Sequence, residues 1–586
     1  YMHWRLEQDD HNIAWLYLDM AESKVNLLSG AVLEELGSIL DVLANKPPQG
    51  VIILSAKKAG FIFGADIKEF LELDDISQSQ PFLDRGHEVM DKLAALPCPT
   101  VSMVDGMCLG GGMELSLACT YIVAADESSS RLGLPEIKLG IHPGYGGTAR
   151  SIQRCGPLPA LDIMLTGRAL PARTAKKIGL VDECVPKRQL KTAAVSYVMR
   201  APKRKRPPFV QRLLNNRLLR PLVAQQMRKQ VSRKAKQAHY PAPYELINLW
   251  QRYADNPERM LREEAMSVAK LATTPTAHNL VRVFFLQEQL KNQGKQVMFK
   301  PAHVHVIGGG IMGGDIASWC AIQGYSVTVQ DQDPSRLAQT FKRAQSSFRK
   351  KYKRDRRAIT AAGDRLMPDH KGLGVSRADI IIEAIFEDVE VKRSLYQDIE
   401  PRMKADAILA TNTSSIKLED LSSSLNNPGR LVGLHFFNPV AKMPLVEIIR
   451  GNESDEETVQ KALAFGRSIS KLPLPVKSSP GFLVNRILMP YLLEAVTMVD
   501  EGVPPEVIDK AATDFGMPMG PIELADTVGL DICKSVAEIL SDALGMPLPA
   551  NLEAMSASSK LGKKSGEGFY RYKNGKAQKN KGARYG

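Results

Sequence analysis

The stretch that most restricts the fold runs from His303 to Asp331. An apolar run, His303-Val-His-Val-Ile307, enters Gly308-Gly-Gly-Ile-Met-Gly313 and a helical period through Ala321; a second run, Ser326-Val-Thr-Val-Gln330, ends in Asp331. Strand, glycine turn, helix and strand within so few residues close as a βαβ unit with parallel strands, which commits this part of the chain to an open α/β sheet. A pyrophosphate can rest on the N-terminus of such a helix, and the acid 18 residues after Gly313 is placed for ribose hydroxyls. Gly308, Gly310 and Gly313 are therefore read as cofactor-binding. Asp331 favours NAD over NADP, because a carboxylate there repels a 2′-phosphate. The plainer alternative is an ordinary βαβ unit with a glycine turn.

Further along, Ile380-Ile-Ile-Glu-Ala-Ile385 and Ala407-Ile-Leu-Ala410 continue the sheet. They are followed by Thr411-Asn-Thr-Ser-Ser415, by Leu431-Val-Gly-Leu-His-Phe-Phe-Asn-Pro439, and by Glu447 within Leu445-Val-Glu-Ile-Ile449. Polar residues at strand ends collect at the carboxyl edge of the sheet, where open α/β sheets bind ligands. His435 can take a hydroxyl proton while hydride leaves for a nicotinamide, and a carboxylate such as Glu447, 12 residues on, would hold its tautomer.

A second glycine turn, Gly110 to Gly112, follows Thr100-Val-Ser-Met-Val104 and precedes a helix expected from near Glu114. Its N–H groups point outward at a helix N-terminus, and Phe63-Gly-Ala-Asp-Ile67 after the strand Val51-Ile-Ile-Leu54 offers another donor. Two such donors aimed at one oxygen stabilise an enolate formed from a thioester, each by about 10²–10³ in rate. Glu114 and Glu136 lie 22 residues apart on different elements and can face one cleft. Adding water across a conjugated double bond needs such a pair: one carboxylate takes a proton from water and the other carboxyl delivers one to the α-carbon. The plainer reading is a tight turn with two surface glutamates.

The block Gly-Ala-Asp, Gly-Gly-Gly-x-Glu, Leu-Pro-Glu and Pro143-Gly-Tyr-Gly-Gly147 resembles the enoyl-CoA hydratase (crotonase) family. The resemblance implies oxyanion donors at the N–H groups of Ala65 and Gly111, a water-activating Glu114, and a proton-donating Glu136. Retention of both acids implies hydration. His142 stands where relatives mostly carry an apolar residue, and the sequence explains nothing about it. Likewise His-Phe-Phe-Asn-Pro-Val and Leu-Val-Glu are similar to the 3-hydroxyacyl-CoA dehydrogenase family. That implies His435 as catalytic base with Glu447 as partner, Ser414 and Asn485 at the substrate, and Met312, Asp331, Glu387, Lys392, Ser414 and Asn438 around NAD.

Both blocks on one chain resemble the alpha-subunit family of bacterial fatty-acid oxidation complexes, multifunctional enzymes of β-oxidation. This implies an acyl-CoA thioester substrate, a thiolase beta subunit as partner in a heterotetramer, and isomerase and epimerase side activities. Tethering two sites raises the intermediate's local concentration, to the order of mM. The rival readings are a hydratase-isomerase with an inactive dehydrogenase half and a non-catalytic assembly scaffold. The family also carries a second copy of the helical domain after Gly566-Glu-Gly-Phe-Tyr570; this chain stops at Gly586 and reads as C-terminally truncated.

The expected fold is α/β. A crotonase-like ββα spiral domain covers 1–185, a helical, partly basic linker 186–300, a Rossmann NAD-binding domain 301–479, an all-α C-terminal dehydrogenase domain 480–572, and a basic tail 573–586. Residues 26–30 and 74–81 read as loops, and 480–500 as a helix. Net charge is +13, but 13 Lys and Arg without an acid fall within 200–236, and the rest balances. That run is either a solvated helical face or an attractor for coenzyme A phosphates. It lacks the interleaved aromatics of a nucleic-acid surface. Seven scattered cysteines without Cys-x-x-Cys spacing, and no apolar run of about 18 residues, give the expectation of a cytoplasmic protein without structural metal.

Overall fold

The computed structural model describes residues 1–70, 75–545 and 547–579. The chain forms two compact units, Tyr1–Phe285 and Leu286–Gly586.

In the first unit, Trp4–Gln8 and Ile13–Leu18 pair as an antiparallel hairpin. Gly50–Ser55, Thr100–Val104, Tyr121–Ala125 and Glu183–Val185 then extend the sheet in parallel. These strands are apolar on both faces because both are covered. Leu16, Val51, Ile53 and Ile122 face the main core with the helices Gly30–Asn45 and Ile76–Ala94. Ile52, Val101 and Val123, the alternate residues, pack under the helix Leu190–Arg200. A smaller sheet of Met107–Leu109, Arg131–Gly133 and Leu170–Pro171 stands beside the first.

The segment expected as a helical linker joins this core. The helices Arg220–Ser232, Ala242–Tyr253 and Pro257–Ala272 bury Ala224, Leu246, Trp250, Met260 and Val268 in it. Pro221 and Pro257 lie in first helical turns, where a missing N–H leaves nothing unpaired.

Three local expectations change. The helix after the glycine triplet spans Gly111–Ala118, so it begins three residues before Glu114, with the glycines forming its first turn. Residues 76–81, expected as loop, open the helix Ile76–Ala94: Asp75 caps it by accepting from Gln78 N–H, and the buried stripe Leu83, Met90 and Leu93 outweighs Pro81. Asp74 lies outside the described residues. Gly30, likewise expected in a loop, starts a helix capped by Ser29.

The second unit is built on an eight-stranded sheet. In spatial order its strands are Leu366–Pro368, Ser326–Gln330, His303–Ile307, Ile380–Glu383, Ile408–Thr411, Leu431–Phe436, Leu445–Arg450 and Leu472–Lys477. All neighbours are parallel except Leu431–Phe436 with Leu445–Arg450. Chain order reverses at His303–Ile307, which opens a crevice at the carboxyl ends beside it. Helices from Val484–Asp500 to Ala550–Ala557 follow around Leu492, Val496, Ile522, Leu530 and Leu540.

The first of these helices begins at Val484 rather than Pro480. The domain expected as all-α closes on a short hairpin, Arg571–Lys573 with Lys576–Gln578, so the expected basic tail is folded through residue 579. Lys579 pairs with Glu523 at 2.6 Å, and the Tyr570 hydroxyl donates to Asp509 at 2.8 Å. Residues 580–586 lie outside the described residues.

Candidate active sites

Glu114 and Glu136 meet in one cavity, lined also by Gly64, Ala65, Gly110, Gly111, His142, Tyr145 and Val268. Glu114 enters from the first turn of Gly111–Ala118, and Glu136 from the short 3₁₀ turn Glu136–Leu139. Gly110 sits at φ +52° with ψ −126°, a conformation that side chains avoid, and this sharp corner turns the backbone over the cavity.

The surroundings of the two acids differ. Oε1 of Glu114 accepts the N–H groups of Tyr145 at 2.7 Å and Gly147 at 2.9 Å. Burial raises its pKa to about 7, opposed by those donors and by Arg150. Glu136 has both carboxyl oxygens buried with no hydrogen-bond partner among the described residues. Burial, then the charge of Glu114, pushes its pKa well above the ordinary value. A carboxyl without donors keeps its proton, and one held by donors gives it up more readily. The geometry thus suits Glu114 to act as base and Glu136 as acid.

The N–H groups of Ala65 and Gly111 donate to no protein partner among the described residues. Leu28 bonds to Gly64 and Asp66 on either side of Ala65, so the Ala65 N–H is left facing away from that bridge. A Cβ at position 111 would stand 3.2 Å from Ala65 N, which shows how closely the two backbone segments run. Both residues line the cavity.

Sequence reading missed a third buried acid in this unit, Glu264. Burial, then the charge of Glu114, raises its pKa to about 8. The available signal was its place on an apolar stripe, one turn from Met260 and one from Val268. His142 is wholly buried, its Nδ1 bonded to Pro143 O at 2.9 Å and its Nε2 to Ser267 Oγ at 2.8 Å; burial lowers its pKa to about 4, so it is a neutral wall of the cavity. No residue of the basic run 200–236 lines this cavity. Arg220 from that run is buried against Asp255 at 2.8 Å, whereas Lys203 to Arg206 are exposed.

Glu114 and Glu264 both hold protons more tightly when folded than at their ordinary 4.5. These two acids therefore bind more protons in the native state than in the unfolded chain between about pH 4.5 and 8, whereas buried His87 and His142, lowered to about 4, bind fewer between about pH 4 and 6.5. Above about pH 6.5 only the acids count, and stability falls as pH rises from there to about 8. Three of the four tryptophans, Trp4, Trp15 and Trp250, lie in the first unit and report on it. Urea unfolding followed by their emission should show a lower midpoint at about pH 8 than at about pH 6.5. An equal or higher midpoint at the alkaline end would contradict this assignment of charge.

In the second unit, His435 and Glu447 are directly opposed across the antiparallel strands Leu431–Phe436 and Leu445–Arg450. A hairpin thus brings residues 12 apart face to face. His435 Nδ1 lies 2.7 Å from Glu447 Oε2. The other oxygen, Oε1, accepts the N–H groups of Leu483 and Val484, each at 2.9 Å, which caps the helix Val484–Asp500. Phe437 and Phe482 flank the imidazole. Asn485 Nδ2 donates to Ser414 O at 3.3 Å, bringing the two residues expected at the substrate together.

The crevice expected to take NAD has a volume of about 1030 Å³ and is lined by Gly308, Gly310, Asp331 and Ile385 among others. Gly308 has φ +112°, and a Cβ on Gly313 would meet Gly308 O at 2.0 Å, so helix and turn close tightly. Nothing stands within 4 Å of where a Cβ on Gly310 would project, leaving its backbone open to a ligand. Asp331 Oδ2 accepts from Gly309 N–H at 2.7 Å, which fixes the acid at the crevice. These residues fit a dinucleotide.

The remaining expected contacts are distributed differently. Met312 is partly buried against the core of the sheet and Asn438 is exposed; neither they nor Glu387, Lys392 and Ser414 line that crevice. Glu387 accepts from Thr413 Oγ1 and from Ser414 N–H at 2.9 Å. Lys392 is buried, 2.6 Å from Glu383 and 3.4 Å from Glu387. Glu383 was not singled out from sequence, although an acid inside Ile380-Ile-Ile-Glu-Ala-Ile385 is anomalous. It also accepts from Tyr396 and Thr411. Among the described residues no cluster of side chains suited to a metal ion occurs.

Comparison with known proteins yields three family models. Residues 10–244 match enoyl-CoA hydratase/isomerase, 303–479 the NAD binding domain of 3-hydroxyacyl-CoA dehydrogenase, and 481–572 its C-terminal domain. The chain is 37% identical to a fatty acid oxidation complex subunit alpha of Vibrio cholerae, over 98% of this chain and 83% of that protein. It is 37% identical to the corresponding subunit of Aliivibrio fischeri, over 97% and 85%, and 36% identical to that of Shewanella amazonensis, over 98% and 83%.

Proposed function

Because this chain belongs to the fatty acid oxidation complex alpha-subunit family, we propose specific roles for its residues in the two reactions that define it. Those reactions are hydration of 2-enoyl-CoA to 3-hydroxyacyl-CoA and NAD-dependent oxidation of that product, successive steps of fatty-acid β-oxidation.

In the first, Ala65 and Gly111 donate to the thioester oxygen, and their preorganised dipoles stabilise the enolate. Glu114 takes a proton from water as the oxygen attacks the β-carbon, and Glu136 protonates the α-carbon. The observation that carries this assignment is the difference between two buried acids in one cavity, one held by backbone donors and one left without them.

In the second, NAD supplies the hydride acceptor when bound. Glu447 holds the proton on His435 Nδ1, leaving Nε2 to take the proton of the 3-hydroxyl. Gly308, Gly310, Gly313 and Asp331 would hold the pyrophosphate and ribose, and Met312, Glu387, Lys392, Ser414 and Asn438 would surround the bound NAD. Ser414 and Asn485 orient the substrate.

The proposal extends to isomerase and epimerase side activities, to a thiolase beta subunit as partner in a heterotetramer, and to a cytoplasmic location. No described helix is long and apolar enough to cross a membrane. The test is direct. The purified chain, given crotonyl-CoA and NAD and no other enzyme, should form NADH after a lag set by the first step. Hydration without NADH would identify an inactive dehydrogenase half, and neither reaction would identify an assembly scaffold.

A further inference from the structure

The turn that leads from Pro143 into the helix Gly147–Cys155 is gripped from two sides. Glu114 accepts from Tyr145 and Gly147, the odd-numbered N–H groups. The even-numbered ones, Gly146 at 2.5 Å and Thr148 at 3.0 Å, go to the two carboxyl oxygens of Glu264, which also accepts the Thr148 hydroxyl. Four successive backbone donors are thus dealt alternately to two carboxyls. Arg150 closes the arrangement, donating to Tyr145 O at 2.9 Å and pairing with Asp91 at 2.5 Å.

Glu264 comes from Pro257–Ala272, a helix distant in sequence from the catalytic block, and is wholly buried. The turn it holds contains Gly144, Gly146 and Gly147, with Gly146 at φ +95°, and such a segment has many conformations to lose. Anchoring the even-numbered N–H groups directs the odd-numbered ones the opposite way, onto Glu114. His87 Nε2 stands 3.5 Å from Glu264 Oε1, but burial lowers its pKa to about 4, so it brings no charge at neutral pH.

We propose that Glu264 is a positioning residue for hydration: by holding Gly146 and Thr148 it fixes the turn whose N–H groups orient the Glu114 carboxylate toward water. This rests on the reading of Glu114 as the base. A carboxylate free to rotate would still bind substrate but would meet water in the wrong geometry, so the loss falls on kcat rather than KM.

The experiment measures crotonyl-CoA hydration by the full chain carrying Glu264→Ala, Glu264→Gln, Thr148→Val or Glu114→Gln. Emission of Trp4, Trp15 and Trp250 serves as the measure of an intact first unit, and oxidation of 3-hydroxybutyryl-CoA as that of the second. Glu264→Ala should lower kcat about 100-fold, the size of an ångström-scale misplacement, with KM within about twofold. Glu264→Gln keeps an oxygen for Gly146 N–H but loses the acceptor for Thr148, and should recover kcat only part of the way, to about tenfold below the parent. Thr148→Val, which loses one donor, should cost less than either.

A parent-like kcat in Glu264→Ala, or equal losses in the Ala and Gln variants, overturns the proposal. Should the Ala variant fail to fold, parent-like kcat in both Glu264→Gln and Thr148→Val overturns it. The premise is separable: if Glu114→Gln still hydrates, the base assignment itself fails, whereas an inactive Glu114→Gln beside unaffected Glu264 variants defeats only the positioning role.

Discussion

Glu114→Gln should slow hydration of crotonyl-CoA by about 10²–10⁴-fold, and Glu136→Gln by a similar factor, while oxidation of 3-hydroxybutyryl-CoA continues at the parent rate. A glutamine at 114 still offers an oxygen to Tyr145 and Gly147, so the fold survives and the loss is chemical. At 136 the carboxyl oxygens have no partner to lose. Because the two acids act in one event, the double variant should be little worse than either single one. The pH profile carries the same information. With the Glu114 pKa raised to about 7, hydration should rise as pH passes that value, and fall only when Glu136, held well higher, loses its proton. A Glu114→Gln enzyme within threefold of the parent would remove the base from this account.

Glu447→Gln should be nearly as damaging to NADH formation as His435→Ala, at about 10³–10⁴-fold for each, with hydration unchanged. The amide still accepts from Leu483 and Val484 through its oxygen, so the helix cap is kept. Its NH₂ then faces His435 Nδ1 and donates to it, forcing the ring proton onto Nε2. An imidazole protonated at Nε2 cannot take the substrate's proton. Steady-state oxidation of 3-hydroxybutyryl-CoA measures this. A Glu447→Gln variant within tenfold of the parent would show that the acid does not govern the tautomer.

Motifs carried by local spacing were legible in the sequence. The βαβ unit at 303–331 and the glycine triplet at 110–112 announce themselves because turn, helix and strand must follow within a few residues. Glu447 was legible from the Leu-Val-Glu motif 12 residues after His435, and the antiparallel pair that brings the two face to face emerged only in the fold. What escaped was contact over long separations. Glu264 reaches the turn at 146–148 from more than a hundred residues away, and no local pattern ties a helix read as linker to that turn. Glu383 was hidden for another reason: Lys392, Tyr396 and Thr411 close around it only in the folded unit, which no local spacing announces. Helix boundaries moved where the cap came from elsewhere, as with Val484, whose donors are satisfied from the sheet.

Glu447 has one oxygen on an imidazole and the other on the first amides of the C-terminal bundle. Residues 483 and 484 lie beyond the last strand of the sheet, so without them that buried oxygen would have no donor, although the imidazole would keep its own bond. The seat of the proposed base is thus shared by sheet and bundle through one side chain, which ties the setting of the imidazole to the first turn of the helix that follows.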